Sequence, residues 1–135
     1  MKSLYFFFFA LLNIPAFFWL ANELTRNETL TGLATLLFAL IPSTFDWLIM
    51  GGGITRSPAF FFALLSLVYI YRLYNRDERK NIWITSLFCS ITVLSHPETA
   101  LHTAASALVF FLFFGRNKQG VKKSLLVAGL TLLFT

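Results

Sequence analysis

Two histidines, a carboxylate and an arginine are the residues of this chain with chemistry to offer. His96, Glu98 and His102 fall on one short stretch, Ser95-His96-Pro97-Glu98-Thr99-Ala100-Leu101-His102, which holds both histidines of the chain and one of its six acids. A carboxylate and two imidazoles so close together can bind a polar or anionic group, move a proton or ligate a metal. His-x-Glu-x-x-x-His lacks the spacing of strong metal motifs such as His-Glu-x-x-His. No metal site and no cofactor are therefore expected, and a divalent metal is the least favoured occupant. A purely local reading competes. Ser95-x-x-Glu98 has the form of a capping box, with Pro97 in the first turn and Glu98 favoured at a helix N-terminus. Glu98 and His102, four apart, can then pair on one face.

Arg56 follows Gly51-Gly52-Gly53-Ile54-Thr55 and precedes Ser57-Pro58. Consecutive glycines disfavour a helix and let the backbone turn or approach a ligand closely. Ser57-Pro58 predicts an N-cap followed by proline at the first helical position. Free amides, a helix N-terminus and a guanidinium suit a phosphate or pyrophosphate, so Gly51, Gly52, Gly53 and Arg56 are candidate substrate-binding residues beside His96, Glu98 and His102. The alternative is an interfacial arginine paired with Asp46. The glycines are not a P-loop, because G-x-x-x-x-G-K-[ST] is missing. Asp46 is a weak candidate general base. An interfacial acid anchored by Trp47 is the favoured reading of it.

The elements that must position these residues are apolar. The chain is 57% hydrophobic and 13% charged, where a soluble domain carries about 25% charged residues. Lipid is the expected solvent, and continuous apolar runs without period-two alternation predict helices rather than barrel strands. The expected spans are Leu4 to Ala21, kinked at Pro15, a short apolar segment from Leu30 to Pro42, Pro58 to Tyr74, Ile82 to Ser95 and Thr99 to Phe114. Small residues four apart at Ala100 and Ala104, and again at Thr103 and Ala107, predict close approach of another helix. The run that begins at Ser124 stops at Thr135, too short for a hydrocarbon core of about 30 Å. The fold class expected is an all-α polytopic transmembrane helical bundle of about five spans plus a truncated sixth. Residues 1–135 form a single transmembrane region that reads as a fragment of a larger membrane protein.

A net charge of +5 raises the question of nucleic acid. Nine of the eleven Lys and Arg residues are Arg26, then Arg72, Arg76, Arg79 and Lys80, then Arg116, Lys118, Lys122 and Lys123. Short basic loops beside spans mark the cytoplasmic side, and a basic groove interleaved with aromatics is absent. Nucleic acid is therefore not an expected partner. Membrane lipids and other helices of the full-length protein are. Loops 72–81 and 115–123 fall on the cytoplasmic side and loops 43–57 and 95–98 on the extracytoplasmic side of a cell membrane. Arg56, His96 and Glu98 thus collect on one face. Cys89, the single cysteine, sits inside an apolar run and reads as a small buried hydrophobe.

A Gly-Gly-Gly-Ile-Thr-Arg turn opening a helix, a span, a basic loop, and a further span ending Ser-His-Pro-Glu resemble bacterial polytopic glycosyltransferases of the lipid-linked-sugar (GT-C) superfamily, over residues 43–114. The resemblance implies a polyprenyl-phosphate sugar donor and a site on the extracytoplasmic face. In that superfamily an early extracytoplasmic loop carries the acid that deprotonates the acceptor. This chain has no such loop after its first span, so the resemblance carries over no catalytic residue: the acid would lie in missing N-terminal sequence, or Asp46 would have to serve. The expected function is transfer from a lipid-linked sugar. The alternatives are a transporter with a polar site around His96–His102, which predicts discontinuous helices at the glycines, and a non-catalytic structural subunit.

Overall fold

The computed structural model describes residues 2–42, 46, 53–76 and 78–135. The described residues form an all-α bundle of six helices. These are α1 (Lys2–Thr25), α2 (Glu28–Leu40), α3 (Gly53–Asn75), α4 (Arg79–Ser95), α5 (Pro97–Phe114) and α6 (Lys118–Phe134). Each of the six apolar segments of the sequence is a helix. Three stretches are long and apolar enough to cross a membrane, Phe7–Thr25, Thr55–Asn75 and Pro97–Phe114. The other helices are shorter, with 13 residues in α2 and 17 in each of α4 and α6. At 1.5 Å per residue the latter two reach about 25 Å.

α3 is the organising helix, the most enclosed of the three candidate spans, whereas α5 is the least. It packs on α1 through Ala16, Leu20, Leu64, Leu65 and Val68, which form the buried core. The two helices run parallel, since Phe9 meets Phe61 near one end and Trp19 meets Tyr69 near the other. α2 turns back along α1. Asn27 caps it by accepting from the amides of Thr29 and Leu30, and Arg26 takes a left-handed φ of 51° to make the turn. Phe38 of α2 then stacks on Phe17 at 4.2 Å between ring centroids.

α4 is rich in hydroxyls for a helix in an apolar chain, and they are satisfied within it. Thr85, Ser86, Ser90 and Thr92 are all buried, and each donates to the carbonyl four residues earlier at 2.6–2.8 Å. Pairing a hydroxyl to its own helix lowers the cost of carrying it into an apolar medium. α6 crosses α4 obliquely. Ser90 meets the Thr131 carbonyl at 3.3 Å, and Trp83 lies 6.5 Å from Phe134. Residues seven apart on α4 therefore face residues three apart on α6.

α1 is one helix on both sides of Pro15, and two local expectations are corrected. α3 begins at Gly53 rather than after a Ser57 cap, so Ser57 and Pro58 lie inside the helix. A helix end in an apolar surrounding gains by pairing one more turn of backbone, and proline near an N-terminus costs little of that gain. The small-residue face of α5 does not receive a helix. Ala100, Ala104 and Ala107 instead line an apolar cavity of about 620 Å³ between α5 and the diverging α6.

Candidate functional site at the α3–α5 end of the bundle

Arg56 and the Ser95–His102 stretch meet. Arg56 stands in the first turn and a half of α3, and His96 caps α5, the next helix to run parallel to α3. The Arg56 Nε–H donates to His96 Nε2 at 3.2 Å, and its Nη2 donates to Glu98 Oε2 at 3.3 Å. The guanidinium side chain is 20% exposed and the Glu98 side chain 44%. An ion pair this open is screened and holds by about 0–1 kcal/mol. Ser57, next to Arg56, is buried with its hydroxyl unpartnered among the described residues.

The cap differs from the one the sequence suggests. His96, not Ser95, is the N-cap, and Pro97 opens the helix. His96 Nδ1 lies 3.3 Å from the Thr99 amide and 3.2 Å from Thr99 Oγ1. Glu98 is not turned back to complete a capping box. It faces Arg56, because an opposite full charge outweighs a backbone amide as a partner for a carboxylate.

These contacts constrain the proton on His96. The Thr99 amide and the Arg56 Nε–H are both obligate donors, and a neutral imidazole offers one bare nitrogen. His96 can therefore accept from only one of them, and the Thr99 hydroxyl offers Nδ1 an acceptor at the expense of the amide contact. With the proton on Nδ1, His96 donates to Thr99 Oγ1 and keeps Nε2 free to accept from Arg56. We assign that tautomer because it keeps the charge-assisted bond. His96 is then neutral and acts as an acceptor for Arg56.

The remaining candidates lie apart. His102 is exposed on α5 and makes no hydrogen bond or ion pair with Arg56, His96 or Glu98. The predicted Glu98–His102 pair is thus replaced by Glu98–Arg56. Asp46 is exposed. Gly51 and Gly52 lie outside the described residues, and Gly53 is the first residue of α3. Among the described residues, no three His, Cys, Asp or Glu side chains gather to hold a metal ion.

A second charged cluster, at the opposite end of the bundle, is absent from the sequence reading. Glu23 of α1 is buried and accepts from Arg72 Nε at 2.7 Å and from Arg76 Nη2 at 3.4 Å; Arg72 Nη2 also pairs with it. The Arg72 guanidinium lies 4.9 Å from the Trp19 ring centroid and 5.5 Å from that of Tyr69. The available signal was an acid just past the first span on the same side as Arg72.

No protein-family model, curated protein or solved structure matches this chain. Its chemistry rests on its own geometry.

Proposed function

We propose that this chain is the membrane-embedded part of a protein that takes the anionic head of a lipid-linked substrate at its Arg56 end, in the manner of a lipid-linked-sugar transferase. The observation that carries the reading is the meeting of Arg56 with His96 and Glu98 across forty residues of sequence, at the ends of two apolar helices. Arg56 supplies the fixed charge for a phosphate. His96 holds its Nε–H side. Glu98 occupies in the free protein the place that a phosphate oxygen takes on binding. The weak, open Arg56–Glu98 pair makes that exchange inexpensive, and forked guanidinium contacts favour phosphate as readily as carboxylate.

The substrate class follows from the resemblance of residues 43–114 to lipid-linked-sugar transferases, and polyprenyl-phosphate sugar is its implied form. The sidedness follows from charge. The loops carrying Arg72 to Lys80 and Arg116 to Lys123 are cytoplasmic, which leaves the Arg56 end extracytoplasmic. The test is Arg56→Gln and His96→Ala in the complete protein, assayed for consumption of a polyprenyl-phosphate sugar. Arg56→Gln is expected to lower turnover at subsaturating donor by at least about tenfold. Unchanged turnover in both variants removes the proposed roles.

A further inference from the structure

We infer that binding of an anionic phosphodiester or phosphate at Arg56 is coupled to protonation of His96, so that acid tightens the site. The inference rests on the anion-binding reading above and adds its regulation. In the Nδ1–H tautomer assigned above, Nε2 of His96 is bare in the free protein and accepts from the Arg56 Nε–H at 3.2 Å. The three side chains Arg56, His96 and Glu98 then sum to zero charge. A proton added to His96 can go only to Nε2, since Nδ1–H is already used on Thr99 Oγ1. That proton turns an acceptor into a donor. Two N–H groups then point at each other, and two positive charges adjoin beside the half-exposed Glu98 carboxylate.

An oxyanion relieves this arrangement. One phosphate oxygen can accept from both His96 Nε2–H and Arg56 Nε–H, where neither group could satisfy the other. The anion therefore binds the protonated form more tightly, and by reciprocity it draws a proton onto His96. The charged groups on His96 from the elements packed around it are Arg56 of α3 and Glu98 of α5. His102, exposed further along the same helix, carries the same imidazole without these contacts.

That second histidine makes the experiment self-controlled. The full chain is placed in maltoside micelles, which contain no phosphate, and both imidazoles are titrated by nitrogen-15 NMR from about pH 7.5 to about pH 5.5. The probe is phosphatidylglycerol, a phosphodiester whose charge does not change in this range. Added phosphatidylglycerol is expected to raise the protonation midpoint of His96 and leave that of His102 in place. Its affinity is expected to rise about tenfold over the range. His96→Gln, which can still accept from Arg56, is expected to bind with no pH dependence. A second arm with dimethyl phosphate separates the sources. A shift with both probes marks a site for the oxyanion itself, and a shift with the lipid alone marks a headgroup site.

Equal movement of His96 and His102 would reveal only a surface potential and overturn the coupling. Binding that Arg56→Gln weakens, without movement of His96, overturns the coupling while leaving the anion site standing. Binding indifferent to Arg56→Gln, with His96 unmoved, overturns both.

Discussion

Glu23 is the residue on which one end of the molecule depends. Its side chain is 10% exposed, against 19% for Arg72 and 48% for Arg76. Removing the carboxylate leaves Arg72 without its anion in a largely enclosed place, whereas removing Arg76 deletes an open contact. Glu23→Ala is therefore expected to cost about 3 kcal/mol of stability, and Arg76→Ala less than about 1 kcal/mol. Denaturant titration of the two variants in detergent checks the difference. Equal costs would mean that Arg72 is held by its aromatic neighbours Trp19 and Tyr69 rather than by charge. The Arg56–Glu98 pair has the same chemistry in the opposite setting. It is open where the Glu23 cluster is closed, and so it suits exchange where the other suits permanence.

At the scale of elements, the two glycines of α6 are of different kinds. A Cβ on Gly120 would run into the backbone of Gly115, whereas a Cβ on Gly129 would meet nothing within 4 Å. α6 is anchored beside the α5–α6 turn. Asn117 Oδ1 accepts from the Gly120 amide, Lys123 Nζ donates to the Leu73 carbonyl, and Ser124 bonds the Tyr74 hydroxyl. Gly120→Ala is expected to destabilise by about 1–3 kcal/mol through overpacking. Gly129→Ala is expected to stabilise by up to about 1 kcal/mol through helix propensity. Thermal unfolding of the pair in detergent reads both signs. The six helices were legible because apolar runs and basic loops punctuate the chain plainly. Their ends were less so. Ser57-Pro58 and Ser95-x-x-Glu98 both carry sound local start signals, yet α3 begins a turn earlier and α5 is capped by His96. Local rules rank partners within a few residues. Arg56, forty residues from His96, decides what Glu98 faces.

At the scale of the whole molecule, α1, α3 and α5 run the same way, so the two charged clusters sit at opposite ends of the bundle. Glu23, Arg72 and Arg76 lie at one end, and Arg56, His96 and Glu98 at the other. That the candidate residues gather at one end was legible from the spacing of the basic loops. Which of them touch was not, because contact depends on how each helix rotates about its axis. His102, one turn from Glu98, shows how little rotation separates a partner from a bystander. Sidedness has its own measurement. In a Cys89→Ala background, a cysteine at Thr99 is expected to react with an impermeant thiol reagent applied outside cells. One at Lys118 is expected to react only after permeabilisation. The reverse pattern would invert the proposed orientation.

The distance in sequence between Arg56 and its partners also orders the protein's biosynthesis. Domains form from the N-terminus as the chain emerges. The core between α1 and α3, and its Glu23–Arg72 clasp, can close once residue 76 has been made. Arg56 must then stand at the end of an apolar helix while the ribosome adds α4 and the start of α5. The nascent bundle is thus locked at one end before the other end acquires its histidine and its acid.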